Sequence, residues 1–414
     1  MALAALTQSA YTRRFAVLRN PDFALFFYSL LTTNSGRWMI IVVQGIWVFE
    51  QTGSKAALGG VGAARVIPLI LFPIVGGVLA DRFDRRKLML FWQLFGLVVS
   101  LAIAFDIALG YGQVWHIYVA GFLIAVGNAF DQPARQAVIP QIVTREQIPA
   151  AVALSSIVFV GGSAFGPMLA AGLLLFPFVN IEALFFLGAV GYAAIIWALL
   201  KMDIPPSAPP ERRERPIANF VAGIKYAVAS PIISALLLMA LAANLFGRSF
   251  QGIMPAVAEE ILRVGESELS LLLSMMGFGA LAGGFILAAV AESGGQTRLM
   301  LGGMLVFTVF TVGIALSPYL PLSLAFMFVI GVSSTFFSSS LRTTMQMETP
   351  GHMQGRVMSL WTVMFLGMGP LGGLFLGMAA DWLGLSPALV IMTAIGLAIV
   401  AVVALTRPAI RDRL

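Results

Sequence analysis

Long apolar runs, broken by short polar stretches, recur along the whole chain. A bilayer core of roughly 30 Å is crossed by about 20 apolar residues in a helix. On that measure the sequence predicts twelve membrane spans, at 22–49, 55–80, 88–109, 114–138, 149–175, 181–200, 231–257, 267–290, 298–317, 321–341, 356–380 and 385–405. The breaks have the chemistry of water-exposed turns. Glu50–Lys55 is polar and holds Gly53, Asp81–Lys87 carries six charges in seven residues, and Met202–Pro216 is rich in Pro and Arg. In lipid the backbone must satisfy its own hydrogen bonds, so continuous apolar runs predict helices; a membrane barrel would alternate apolar and polar positions. The predicted fold class is an all-α polytopic membrane protein of twelve transmembrane helices.

The centre of the chain interrupts this pattern. Residues 201–215 combine four prolines with a cluster of charges, which excludes a long helix and keeps the segment in water. Beyond it, Ile217, Val221, Ile224 and Val228 recur at helical spacing, with Asn219 and Lys225 off that face. Two readings are open for 216–229: a helix lying on the cytoplasmic surface, or an early start to span seven. The two sides of the linker echo each other. Gly36-Arg37 and Gly247-Arg248 lie 211 apart, Gly76-Gly77 and Gly283-Gly284 207 apart, Arg135 and Arg342 207 apart, and Gly166-Pro167 and Gly369-Pro370 203 apart. In order and with small drift, these argue for a duplication with parallel repeats. The expected division is 1–200 as one six-helix bundle, 201–230 as linker and surface helix, and 231–414 as a second six-helix bundle with a short basic tail.

Composition agrees and narrows the function. Apolar residues make up 59% of the 414 and charged residues only 11%, against about 25% charged in an average soluble domain. A water-soluble enzyme, a disordered chain and a nucleic-acid binder are excluded on that ground. There is no Cys, and the two His, His116 and His352, are far apart, so no metal site is expected. Neither a HExxH motif nor a Walker A loop occurs, so no cofactor and no nucleotide motor is expected. Residues 1–20 lack the continuous apolar core of a signal peptide. Of the 25 Lys and Arg, 20 fall in segments on one side of the predicted spans, while only Lys55 and Arg263 fall on the other. Positive residues mark the cytoplasmic side. Both termini are therefore expected in the cytoplasm, and the protein in a bacterial inner membrane.

One loop carries a family signature. Gly77-Val-Leu-Ala-Asp81-Arg82-Phe-Asp84-Arg85-Arg86-Lys87 resembles the loop 2–3 motif of the major facilitator superfamily, with Asp84 where Gly is usual. The resemblance covers essentially the whole chain, because span number and central basic linker agree with it. A second stretch, Asn128-Ala-Phe-Asp131-Gln-Pro133-Ala-Arg135-Gln136 onward to Arg145-Glu146, resembles the branch that contains the enterobactin exporter and macrolide efflux proteins. That branch implies proton-linked export. Gly161-Gly162 and Gly166-Pro167 resemble the antiporter motif of span five, although Ala170 and Ala171 replace its terminal Gly pair. The family implies that Asp81, with Arg85, docks across the halves onto the start of span eleven in one conformation. The same loop charges, Arg82 among them, also anchor topology. Gly166-Pro167 reads either as a bend where the halves rock or as plain close packing.

Ionisable residues inside spans are costly, so they usually face a wet cavity or a partner. Arg37 lies near mid-depth in span one with Asn34 one turn before it. Arg65 lies in span two. Arg248 lies in span seven between Asn244 and Gln251, and Asp131 lies in span four. The family places spans one, four, seven and ten around a central cavity. Three Arg against one Asp suggest a cavity of positive potential for an anionic substrate, since guanidinium binds carboxylate or phosphate at two points. Against this stands internal pairing of the arginines. Trp38 and Phe250 are candidates to stack on a substrate ring. Asp131 is the candidate for proton coupling, against an ion pair with Arg135 one turn on. The expected activity is alternating-access export of an amphiphilic, anionic small molecule against protons, by a monomer embedded in lipid. Uptake, lysophospholipid flipping and a non-transporting sensor are the alternatives.

Overall fold

The computed structural model describes residues 16–69, 72, 84–204, 216–290, 295–407 and 410. The described residues are almost entirely helical and contain no strand. In chain order the helices are α1 (Pro21–Thr52), α2 (Lys55–Ala63), α3 (Arg85–Ala108), α4 (Val114–Ile142), α5 (Ile148–Leu173), α6 (Ile181–Lys201), α7 (Pro216–Ala229), α8 (Pro231–Ala242 with its continuation), α9 (Glu266–Val290), α10 (Gln296–Leu316), α11 (Leu320–Glu348), α12 (Gly351–Leu383) and α13 (Leu385–Thr406). Ten of them, α3–α6 and α8–α13, are long and apolar enough to cross a membrane. Helix α1 has 32 residues, long enough to span at about 1.5 Å per residue, but Asn34, Arg37 and Gln44 dilute its apolarity. Of the predicted second span, only α2 and a few residues after it are described, and Asp81, Arg82 and Gly76-Gly77 lie outside the described residues.

Local chemistry sets the helix ends. The Asn20 side chain accepts the backbone N–H groups of Asp22 and Phe23, with Pro21 at the first helical position, so α1 starts there. It stops at Gly53, whose φ of 59° is the left-handed conformation glycine tolerates. Asp84, the one departure from the loop motif, accepts the Lys87 N–H at 2.9 Å and caps α3. Helix α7 is separate from α8, because Ser230 caps the latter and Pro231 opens it. Residues 216–229 thus form a helix of their own. Helix α7 packs on α12 through Gly223, whose missing Cβ leaves room for the Arg356 backbone. Its apolar stripe, Val221, Ile224 and Val228, is exposed.

The helices have two common ends. The terminal end holds residues 16–20, 407 and 410; the far end holds residues 52–55, 262–266 and 383–385. Buried side chains show how the two groups of helices, α1–α6 and α8–α13, meet. Toward the far end one core draws on both groups, with Val43, Ile46 and Leu58 beside Ile253, Val257 and Leu376. Toward the terminal end each group has its own core, with Phe23, Phe26, Val138 and Leu199 in the first, and Leu236, Met239, Leu341 and Val357 in the second. The seams between the groups are α2 against α12 and α5 against α9. Small residues make both seams close. Gly59 lies against the backbone of Gly373 and Leu374, Gly377 against that of Lys55, and Gly277 against Ala164. Lipid gives no hydrophobic drive for helix association, so backbone approach of this kind carries the packing.

Candidate functional site

The expected span-seven helix is not regular. After Ala242 the backbone widens into a π-turn over Ala243–Gly247, tightens to 3₁₀ over Arg248–Ile253, and widens again over Val257–Leu262. Gly247, Gly252 and Pro255 weaken the α-helix there. Irregular turns inside membrane helices are tolerated where they line a cavity and are frequent at functional sites. Asn244 and Arg248 sit on them.

Two pockets contain the intramembrane polar residues. The first lies between helices α1, α3, α4 and α6 and is lined by Arg37, Trp92, Gln93, Asn128, Asp131 and Tyr192. Asp131 is 2% exposed. One of its oxygens accepts the Gln93 Nε2 donor at 2.9 Å, and the other is in close contact with Arg135 Nη2. The pairing of Asp131 with Arg135 is thus present, and Arg37 lines the same pocket. Trp92 stacks on Phe130 at 4.7 Å and 7°, which fixes the indole as one wall. The indole Nε1 of Trp92 and the Oε1 of Gln93 are buried without a partner.

The second pocket belongs to α8, α10, α11 and α12. Arg248 lies 4.7 Å over the Phe365 ring, a cation–π contact. Asn244 is 2% exposed, donates through Nδ2 to the Ala240 carbonyl at 2.8 Å, and leaves its Oδ1 unpartnered. Met304, Phe307 and Phe337 form apolar walls, and Ser334 and Ser338 of α11 contribute hydroxyls.

The remaining expected site residues are placed differently. Arg65 stays within the first group, in contact with Gln44 Oε1 and beside Gly121. Asn34 is buried, with Gly162 of α5 packed against it. Gly166 is where α5 presses on α1, against Ser35 and Trp38, while α5 runs unbroken through Pro167. Trp38 is therefore held against a neighbouring helix. Phe250 departs from the expected stacking role: it is 1% exposed in the shared core, edge-to-face with Phe307 at 5.9 Å. Gln251 donates to Met276 Sδ at 3.4 Å. Arg85 donates to the Ala137 carbonyl at 3.2 Å and Arg86 to that of Leu200 at 2.8 Å. In this conformation both tie the start of α3 to their own bundle. Trp92, Gln93, Tyr192, Phe337 and Phe365 join the pockets without having been expected. A polar Gln93 inside an apolar run was the one sequence signal among them.

Known proteins place this arrangement. Residues 12–412 match the family described as transmembrane secretion effector. The enterobactin exporter EntS of Shigella boydii serotype 18 is 27% identical over 332 residues, 79% of this chain and 76% of that one. The EntS protein of Escherichia coli O1:K1 is 26% identical over the same shares. Among solved structures, an inward-facing, unoccupied bacterial homologue of the lysosomal transporter Spinster superposes with a TM-score of 0.76 at 16% identity, covering 95% of this chain and 98% of that one. The nucleoside transporter NupG superposes at 0.71 with 14% identity, covering 93% and 98%. A multi-pass helical membrane protein with a match across nearly its whole length, the chain belongs to the transmembrane secretion effector family of the major facilitator superfamily.

Proposed function

We propose that the protein exports an amphiphilic, anionic small molecule from the cytoplasm by alternating access, against a flow of protons. The observation that carries this reading is a pair of guanidiniums, Arg37 and Arg248, 211 residues apart, each lining a pocket within its own group of helices. Charge inside a membrane span is costly, and a cavity that takes an anion supplies the compensation. The bundles 1–200 and 231–414, joined by 201–230, are the two rocking bodies. Their shared core at one end and separate cores at the other fit a state open toward the termini. With both termini cytoplasmic, as the basic residues argue, that state takes up substrate from the cytoplasm of a bacterial cell. Asp131, buried between Gln93 and Arg135, is the proton carrier. Protonation would free Arg135 and change the charge facing Arg37. Asp81, Arg82 and Arg85 serve the opposite conformation, and Gly166-Pro167 the bend between them.

The relatives named as enterobactin exporters favour an acidic siderophore-like cargo over a cation. The test is uptake into everted membrane vesicles of candidate siderophores, drugs and lysolipids under an imposed proton gradient. Gradient-driven accumulation of anions supports the reading. Accumulation of cations alone, or of nothing, contradicts it.

A further inference from the structure

Arg37 and Arg248 hold matching places in the sequence but unlike surroundings. The pocket of Arg37 contains a carboxylate, Asp131. The pocket of Arg248 contains no other ionisable group. Among the described residues no carboxylate lies within ion-pair distance of Arg248. A guanidinium remains charged, and a buried charge normally has a partner. The face of Phe365 compensates it in part but leaves the planar N–H fork free for a two-point anion.

Next to it, one end of the Asn244 amide is used by its own helix and the other end is buried and unpartnered. The hydroxyls of Ser334 and Ser338 already donate to carbonyls at 2.9 and 2.8 Å, so only their oxygens remain available, as acceptors. Met304, Phe307 and Phe337 supply an apolar wall around these polar points. The π-turn over Ala243–Gly247 presents Asn244 and leads directly into Arg248.

The geometry points to a division of labour, resting on the exporter reading above: the Arg248–Asn244 pocket binds the acidic head of a substrate that has an apolar or aryl body and a hydroxyl or amide group, while the Arg37–Asp131 pocket serves coupling rather than substrate. In the first pocket the carboxylate Asp131 is already held by Arg135 and Gln93, whereas the second pocket contains no carboxylate beside its arginine.

The test is equilibrium binding to the full chain in lipid nanodiscs, without any gradient, using 6-hydroxy-2-naphthoate, 2-naphthoate and neutral 2-naphthol as probes. The unmodified protein binds hydroxynaphthoate saturably and more tightly than either analogue. Arg248→Gln weakens hydroxynaphthoate by about 10-fold, the scale of a lost charge-assisted pair, and moves 2-naphthol little. Asn244→Leu removes the preference for the hydroxylated probe over 2-naphthoate. Arg37→Gln causes the smaller loss of the two arginine variants. Equal losses at Arg37 and Arg248, equal affinity for 2-naphthol, or no saturable binding would each overturn the assignment. Because no gradient is used, a failure of proton-driven export leaves these results intact. Conversely, export with unaltered binding in Arg248→Gln sinks the pocket assignment alone.

Discussion

Asp381 caps the first turn of α2 from the other group of helices: its carboxylate accepts the backbone N–H of Lys55 at 3.2 Å and of Ala56 at 3.1 Å. The Ser54 hydroxyl donates to the same carboxylate at 3.3 Å, and Lys55 Nζ reaches Glu260 at 2.7 Å. A carboxylate at a helix N-terminus satisfies free N–H groups and meets the positive end of the dipole. This contact therefore clasps the far end of the α2–α12 seam. Losing such a cap costs about 1 kcal/mol, so Asp381→Ala should raise the population with an open far end by about 5-fold. The chain has no Cys, so a single cysteine replacing the buried Leu58 reports opening cleanly through its rate of maleimide labelling. An unchanged rate would show that the clasp does not hold the seam.

The same end should respond to pH. Glu50 lies just beyond the apolar run 22–49, and its carboxyl is pushed up to about 7. Burial is the first cause, and a hydrogen bond and like charge from Glu266 come next, with Glu182 and Glu259 adding repulsion. Opening separates Glu50 from Glu266 and returns it toward the ordinary value near 4.5. A pKa raised in the closed state means that closure is favoured fully below about 4.5 and that the advantage is lost as pH rises through about 7. Labelling of the Leu58 reporter should thus accelerate between those values, and Glu50→Gln should flatten the profile. A profile that is steep in both proteins points to another group.

Gly166 allows a sharper packing test. A Cβ there collides with α1 at Ser35 and Trp38, whereas one at Gly172 meets nothing within 4 Å. Overpacking of this kind costs about 1–3 kcal/mol. Gly166→Ala should lower the thermal midpoint of the purified protein and Gly172→Ala should not; equal midpoints would remove the close α1–α5 approach.

Much of this site was legible because charge inside an apolar run has so few explanations. Arg37, Arg248, Asp131 and Asn244 all line pockets. Gln93, Trp92, Tyr192 and Phe365 were not legible, because which face of an apolar helix turns inward depends on its neighbours, and apolar periodicity is weak when both lipid and core are apolar. The same reason hid the orientation of α7: Val221, Ile224 and Val228 form a stripe whichever way it faces, and only the fit of Gly223 against Arg356 turns it outward. Asp84 looked like a departure from the loop motif but is a helix cap, a role its spacing to Lys87 permits. Phe250 misled because nothing in sequence separates a core ring from a cavity ring.

Asp131 is held by two donors, so breaking the pair has a structural cost as well as a functional one. Removing one partner of a buried ion pair destabilises by about 3–5 kcal/mol. Arg135→Met, which leaves Asp131 with Gln93 alone, should lower the thermal midpoint more than Asp131→Asn, in which a neutral amide still accepts from Gln93. The reverse order would mean that Arg135 is not the main partner of the carboxylate.

The most direct measurement is uptake of 6-hydroxy-2-naphthoate by everted vesicles under an imposed proton gradient, comparing the unmodified protein with Arg248→Gln and Asp131→Asn at equal expression. The account predicts gradient-driven accumulation in the first, loss of uptake in Arg248→Gln through weakened binding, and in Asp131→Asn binding that persists without response to the gradient. Full gradient-driven accumulation in either variant would contradict it.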